Sequence, residues 1–418
     1  MKWLKTKEAL PKGILKNLWL FFAVLGPGFI TANVDNDAGG IATYSVAGAH
    51  YGYDLLWTTL PVCIALVIVM EMSGRLGAVT GRGFSDLIRE HFGLRVTFYL
   101  MLIMLAVNIG NVMSNFAGVA AGMELFGIDK YMSVPLGAFF IWLLVVKGTY
   151  KTVEKVFLFA CVFYVAYIIS GYLADPDWKD VAVHTVKPTF DFSQSYLYMI
   201  IGIVGTSIAP WMQFYQQSAV VEKGITAEHY RHSKWDAYVG AVAAIIVIFF
   251  IILTCGATLY KSGLRIESAK DAALALKPIA GNYCFLLFAF GLVNASLFAA
   301  SIIPLSTAFS VCEGLGWETG VNKTFKEAPH FYALYTIIII LSAGAVLYPN
   351  FPLLKVMIFS QVVNGIVLPF ILIFMLLLAN DKTLMGEFKN GPVFNSIAWI
   401  TSAAMIVLTM LLIVSLVR

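Results

Sequence analysis

Charge is what this chain has least of. Only 12% of its 418 residues are Asp, Glu, Lys or Arg, while 60% are hydrophobic, and a soluble domain carries about twice that charged share. This excludes a soluble enzyme or binding module and places the chain among all-α polytopic membrane proteins. Cysteine is also scarce. The five residues Cys63, Cys161, Cys255, Cys284 and Cys312 lie far apart in apolar stretches without a CxxC pair. That excludes a disulfide framework or a structural zinc site, and they read as small core residues. Catalytic signatures are missing: there is no HExxH and no Gly-x-Ser-x-Gly. All six histidines (His50, His91, His184, His229, His232, His330) fall in connecting segments or at span ends. An intramembrane enzyme therefore has no constellation to work with, and the group best suited to protons near neutral pH is absent from the apolar interior. The net charge of +4 is not a nucleic-acid footprint, because the Lys and Arg residues sit in loops. No soluble domain and no low-complexity tract is present.

What the chain has is long apolar runs. A span needs about 20 apolar residues. Eleven candidates satisfy this, at 17–49 (interrupted), 54–79, 96–126, 131–147, 153–174, 195–221 (interrupted), 236–260, 281–314, 330–348, 353–379 and 393–417. With the N-terminus inside, nineteen Lys and Arg residues fall on the cytoplasmic side and eight outside, with Lys355 near the outer end of a span. The positive-inside bias thus predicts a cytoplasmic N-terminus and an external C-terminus in a plasma (inner) membrane. The charged segment 84–91 (FSDLIREH) predicts a cytoplasmic surface helix. The basic, amphipathic start (MKWLKTKEALPKGILKNLW) precedes an apolar segment too long for a signal-peptide core, so no cleavable leader is expected.

The first span holds Asp35-Asn36-Asp37-Ala38-Gly39-Gly40 between two apolar runs. A charge at bilayer depth costs at least about 2.5–3.5 kcal/mol, and a Gly-Gly pair exposes backbone there, which is tolerated only where protein or water surrounds it. A broken helix carrying carboxylates at mid-membrane is how transporters present a cation site. The sixth span, Gly205-Thr206-Ser207-Ile208-Ala209-Pro210-Trp211-Met212-Gln213, contains a proline that should unwind it near Thr206 to Ala209. The two interruptions are five spans apart. This predicts two repeats, 1–174 and 190–379, with 393–417 as an added helix. A plain proline kink is the alternative for the second break.

GPGF (26–29), then Asp37, Gly39, AT (42–43) and AGAHYGYDLLW (47–57) resemble the first spans of the Nramp divalent-metal transporters. Ser360-Gln361-Val362-Val363 and Leu368-Pro369-Phe370 resemble that family's tenth span. The resemblance implies the LeuT-type fold, two inverted five-helix repeats plus an eleventh helix, and proton-linked uptake of manganese or iron in typical members. The departures are specific. The family's Asp-Pro-Gly-Asn stands here as Asp37-Ala38-Gly39-Gly40, and its Met-Pro-His as Ala209-Pro210-Trp211. The aspartate and the tenth-span glutamine, Gln361, are kept; the asparagine, thioether and histidine are gone. This pattern is similar to the Nramp-related magnesium transporters, a bacterial branch.

A thioether helps select transition metals, whereas Mg²⁺ wants octahedral oxygen and releases water reluctantly. A site with Gly40 and Ala209 in place of Asn and Met reads as roomier, fit for a partly hydrated ion. The resemblance implies Asp37 and Gln361 as its grips, with backbone near Val34, Thr206 or Ala209 contributing. Asp35 adds charge, binding directly or through water. Trp211 walls the cavity or merely packs, and Gln361 is a ligand or an interhelical bond. Gln213, Gln216 and Gln217 form a polar face, as do Asn108, Asn111 and Asn115; each line is a wet path or interhelical bonding. Typical members carry acidic residues in the third span, but none lies between Arg95 and Glu124 here. Proton coupling is therefore not expected. Mn²⁺ is expected to pass as well as Mg²⁺, and the chain is expected to act as a monomer in the lipid bilayer, with no cofactor beyond the transported ion. A proton-coupled Mn²⁺/Fe²⁺ transporter is the alternative. A sodium-coupled amino-acid carrier is opposed by the paired acids where a substrate carboxylate would sit.

Overall fold

The computed structural model describes residues 26–147, 165–277, 281, 284–321 and 323–417, and the regular structure among them is helical throughout. The first expected span is two short helices, α1 (Pro27–Val34) and α2 (Ala38–Tyr51), parted by Asp35, Asn36 and Asp37. Then come α3 (Thr59–Thr80), α4 (Phe84–Phe92), α5 (Leu94–Glu124) and α6 (Lys130–Lys147). Of the fifth expected span only α7 (Val165–Leu173) is described. Its residues 153–164, with Cys161, lie outside the described residues, as do 17–25 of the first. After α8 (Trp178–Val186), the sixth span is again two helices, α9 (Gln194–Ser207) and α10 (Pro210–Glu222). The chain ends through α11 (Ala227–Cys255), α12 (Cys284–Leu315), α13 (Pro329–Val346), α14 (Leu353–Asn380) and α15 (Pro392–Val417). Among the described residues nine segments, spans two to four and six to eleven, are long and apolar enough to cross a membrane.

Both breaks have local causes. Asp37 is extended (φ −74°, ψ −173°) and its carboxylate accepts the Gly40 N–H at 2.7 Å, which makes it the N-cap of α2. At the second break a proline disfavours helical backbone in the residue before it. Ala209 accordingly sits at φ −65°, ψ 140°, with Ile208 at φ −134°, ψ 58°, and Pro210 opens α10 at a first-turn position that needs no N–H. The unwound stretch is thus Ile208–Ala209, the C-terminal end of the expected window, while Thr206 and Ser207 remain helical.

The two broken spans cross head to tail, with α1 against α10 and α2 against α9. Beyond them α3 packs on α11 and α5 on α12, so second meets seventh and third meets eighth. The expected helix at 84–91 is α4, and it is amphipathic: Phe84, Ser85, Leu87 and Ile88 are buried against α5 and α12, while Glu90 and His91 are exposed. A buried pair, Arg75 with Glu71 at 3.1 Å, ties α3 to the segment before α15, because Arg75 also donates to Asn390 Oδ1 at 2.5 Å and to the Phe388 carbonyl.

The GPGF sequence acquires a purpose in this packing. Asp236 on α11 accepts the Gly26 N–H (2.7 Å) and the Phe29 N–H (3.2 Å) on one oxygen and the Gly28 N–H (2.8 Å) on the other. A helix's first N–H groups have no intrahelical partner, and a carboxylate also favours the positive helix end. A Cβ on Gly28 would lie 2.6 Å from the Ala237 backbone, and one on Gly26 would lie 2.8 Å from Asp236 itself. The half-helix that leads to Asp35 is therefore fastened at its start by one residue 208 positions away from Gly28. Asp236→Ala strands these donors and should destabilise the fold by roughly 1–3 kcal/mol, with Asp236→Asn losing less because it keeps one oxygen. Thermal unfolding in detergent checks this; wild-type melting of both variants would contradict it.

Candidate functional site

The carboxylates of Asp35 and Asp37 are both buried, at 3% and 4% exposure. Both oxygens of Asp37 hold a donor and keep a further lone pair each: Oδ1 accepts from Gly40 and Oδ2 accepts from Asn115 Nδ2 on α5 at 2.8 Å. Asn115 also accepts the Ala38 N–H at 3.2 Å, so one side chain holds both the carboxylate and the first backbone donor of α2. Asp35 is the reverse case, because its Oδ2 is buried without any partner. Its backbone closes α1 while Asp37 opens α2, so helical spacing does not separate them. No Lys, Arg or His pairs with either aspartate among the described residues. Two like charges taken out of water need an opposite charge or donors. The donors serve Asp37, and Asp35 is left with an oxygen that suits a cation. Nor does any cluster of three or more His, Cys, Asp or Glu residues form a metal site among the described residues. Any ion here meets carboxylate, amide and backbone oxygen, a hard set.

Several expected site residues gather at the break. Gly40 lies in the first turn of α2, where a Cβ would stand 2.5 Å from the Asp35 carbonyl, 3.1 Å from Thr206 Oγ1 and 3.3 Å from the Tyr44 ring. Thr206 of α9 therefore does face the break. The same contacts correct one expectation: the space at Gly40 is not open. Glycine there permits a close approach of Asp35, Thr206 and Tyr44 instead of leaving a void. Gln361 of α14 lies over Gly39, since a Cβ on residue 39 would run into its amide, with Cδ at 2.8 Å. Its Oε1 accepts from Asn364 Nδ2 at 2.9 Å.

Ala209 and Trp211 belong to the second break. Gln213, in the amide orientation that satisfies it, donates to the Ala209 carbonyl at 2.9 Å and also to that of Pro210. The Trp211 carbonyl accepts from Ser306 Oγ at 3.1 Å, and its ring tilts against Tyr215 at 6.3 Å. No hydrogen bond joins Trp211 to Asp35 or Asp37 among the described residues. The glutamine face is largely interhelical bonding: Gln216 accepts from Thr31 at 3.1 Å and Gln217 donates to the Arg82 carbonyl at 2.9 Å. Tyr44 and Ser207 join α2 to α9 at 2.8 Å.

Sequence reasoning missed Asn115 as the partner of Asp37, Asp236 as the cap of α1, and Asn364 altogether. The three-asparagine face of α5 was the available signal for the first. Nothing in the sequence announces Asp236, whose role depends on α11 lying beside α1.

The chain matches the family model for natural resistance-associated macrophage protein-like (Nramp) proteins over residues 28–415. Among solved structures it is similar to the Eremococcus coleocola manganese transporter, with a TM-score of 0.78 and 21% identity, covering 97% of this chain and 88% of that one. It is also similar to Mhp1, a nucleobase-cation-symport-1 family transporter (TM-score 0.59, 14% identity, 94% and 91% covered). A third likeness is to MhsT in its complex with L-phenylalanine (TM-score 0.60, 13% identity, 93% and 97% covered). These are LeuT-fold transporters, and the broken first and sixth spans crossing head to tail are that fold, with its two inverted repeats and an eleventh helix. The match across nearly the whole chain makes this protein a member of the Nramp family of divalent-metal transporters.

Proposed function

We propose that this protein carries Mg²⁺, and Mn²⁺ with it, across the plasma membrane by alternating access, without moving protons. The observation that carries the reading is the pair Asp35 and Asp37 at the unwound turn, with Asp35 Oδ2 unpartnered and no Lys, Arg or His paired with it among the described residues. Asp37 is the main ligand, with Asp35 and Gln361 as further oxygen donors; Gly40, Thr206, Ala209 and Trp211 shape the break around the ion. Alanine at 209 supplies no thioether, so nothing there favours a soft metal. The ion is cargo, and no cofactor takes part. The repeats 1–174 and 190–379 move against each other around the site, with 393–417 as an addition. The lysine and arginine bias supports a cytoplasmic N-terminus and an external C-terminus, and a single chain holds the whole site.

Uncoupled transport is favoured by the polar face of α5, whose Asn115 bonds Asp37. Asn108, Asn111 and Asn115 are buried amides, and an amide does not titrate. An inside-negative potential then drives uptake, at ~2.3 kcal/mol per charge per 100 mV. The likeness to a manganese transporter favours a second reading, proton-linked Mn²⁺ or Fe²⁺ uptake, against which the amides weigh.

Calorimetric titration of the purified protein should show Mg²⁺ and Mn²⁺ binding; tight Cd²⁺ binding without Mg²⁺ binding would contradict the magnesium assignment. Asp37→Ala should abolish Mg²⁺ uptake into proteoliposomes, and retained uptake would remove Asp37 from the site. In the same vesicles a lumenal pH dye should stay flat as Mg²⁺ enters. Acidification that tracks the ion would establish proton coupling.

A further inference from the structure

The amides beside the break form one continuous chain. Asn115 Nδ2 donates to Asp37 Oδ2 and to the Asn111 carbonyl at 2.9 Å. Asn111 and Asn364 exchange bonds, at 2.9 Å from Asn111 Nδ2 and 3.0 Å from Asn364 Nδ2, which clamps α5 to α14. Asn364 Nδ2 spends its second hydrogen on Gln361 Oε1 at 2.9 Å. Gln361 then lies against Gly39, back on α2 beside Asp37. A spur runs from Asn111 Nδ2 to Asn108 Oδ1 at 3.4 Å, and from Asn108 Nδ2 to Thr307 on α12 at 2.9 Å. All five amide side chains are at most 2% exposed.

The orientation of Asn115 is set by Asp37. A carboxylate only accepts, so Asn115 must turn Nδ2 to Asp37 and its oxygen to the Ala38 N–H. The second Asn115 hydrogen goes to the Asn111 main-chain carbonyl, so the link to the Asn111–Asn364 pair runs through the α5 backbone, and both hydrogens of Asn115, Asn111 and Asn364 are used. A fully satisfied buried network has one arrangement, and its members strengthen one another. The loop closes on α2 only because residue 39 lacks a Cβ.

We infer that Asn115, Asn111 and Asn364 are positioning residues for the transported ion: the closed amide loop through α2, α5 and α14 aims the Asp37 carboxylate and holds Gln361 beside it. Ion affinity then depends on Asn364, which touches neither aspartate. The inference rests on Asp37 being the ion ligand.

The test is Mg²⁺ uptake kinetics in proteoliposomes for Asn364→Leu, Asn115→Ala and the double variant, per correctly folded transporter. Asn364→Leu should raise the KM for Mg²⁺ about tenfold while turnover stays within about threefold of wild type. The double variant should be no worse than the weaker single, because breaking one loop twice costs little more. An unchanged KM with only less folded protein marks a structural role and overturns the inference, as do single effects that multiply in the double variant. If Asn364→Leu does not fold, Gly39→Ala opens the loop from α2 by displacing Gln361; the same rise in KM is expected, and its absence overturns the inference. Uptake that survives Asp37→Ala removes the ligand assignment itself, whereas loss of uptake there with an unchanged KM in Asn364→Leu removes only the loop.

Discussion

Two carboxylates held two residues apart in an apolar interior impose a requirement on everything around them. Each charge must be met by donors, by an opposite charge or by both, because burial removes it from bulk water. Asp37 is met by donors: the Gly40 N–H in its own helix and Asn115 from α5. Asp35 keeps a bare oxygen. The difference divides the labour at the site. One carboxylate is fixed in direction, and the other keeps an oxygen without a partner.

The rest of the architecture supplies that arrangement. At the first break Asp37 caps α2, and at the second Pro210 disfavours helical backbone at Ala209. α1 is short, yet its start is fastened to α11 through Asp236, so a half-helix of eight residues arrives at the break in a defined place. Glycines serve close approach rather than flexibility. Gly28 admits Ala237, Gly40 admits the Asp35 carbonyl, and Gly39 admits Gln361. Between α5 and α14 the polar groups are amides, whose donors and acceptors keep their identities at any physiological pH. Those amides add no titratable group to the site beyond Asp35 and Asp37 themselves, which supports the uncoupled transport proposed above.

Much of this was legible in the chain. Composition and apolar runs gave the span order, and the cost of burying Asp35 and Asp37 singled out the first break. Pro210 located the second to within the expected window. The resemblance to Nramp signatures named the family and pointed to Gln361. What stayed hidden depends on helix neighbours that sequence spacing does not reveal. Asn115 was visible as one of three asparagines on a face, but its partner was not, since that requires knowing α5 lies against α2. Asp236 stands at the head of a span, and nothing in its sequence surroundings points to α1. Gly40 was read as room, because a missing side chain suggests space; the backbone of Asp35 had moved into it.

The central claim is that the turn Asp35–Asp37 holds the transported ion. Crystals or particles of the protein loaded with Mn²⁺, whose anomalous signal or density identifies it, test that claim most directly. A single ion bound by the Asp37 carboxylate, with Asp35 directly on it or bridged by water, is the predicted result. An ion seated elsewhere in the protein, with the turn empty, would contradict it.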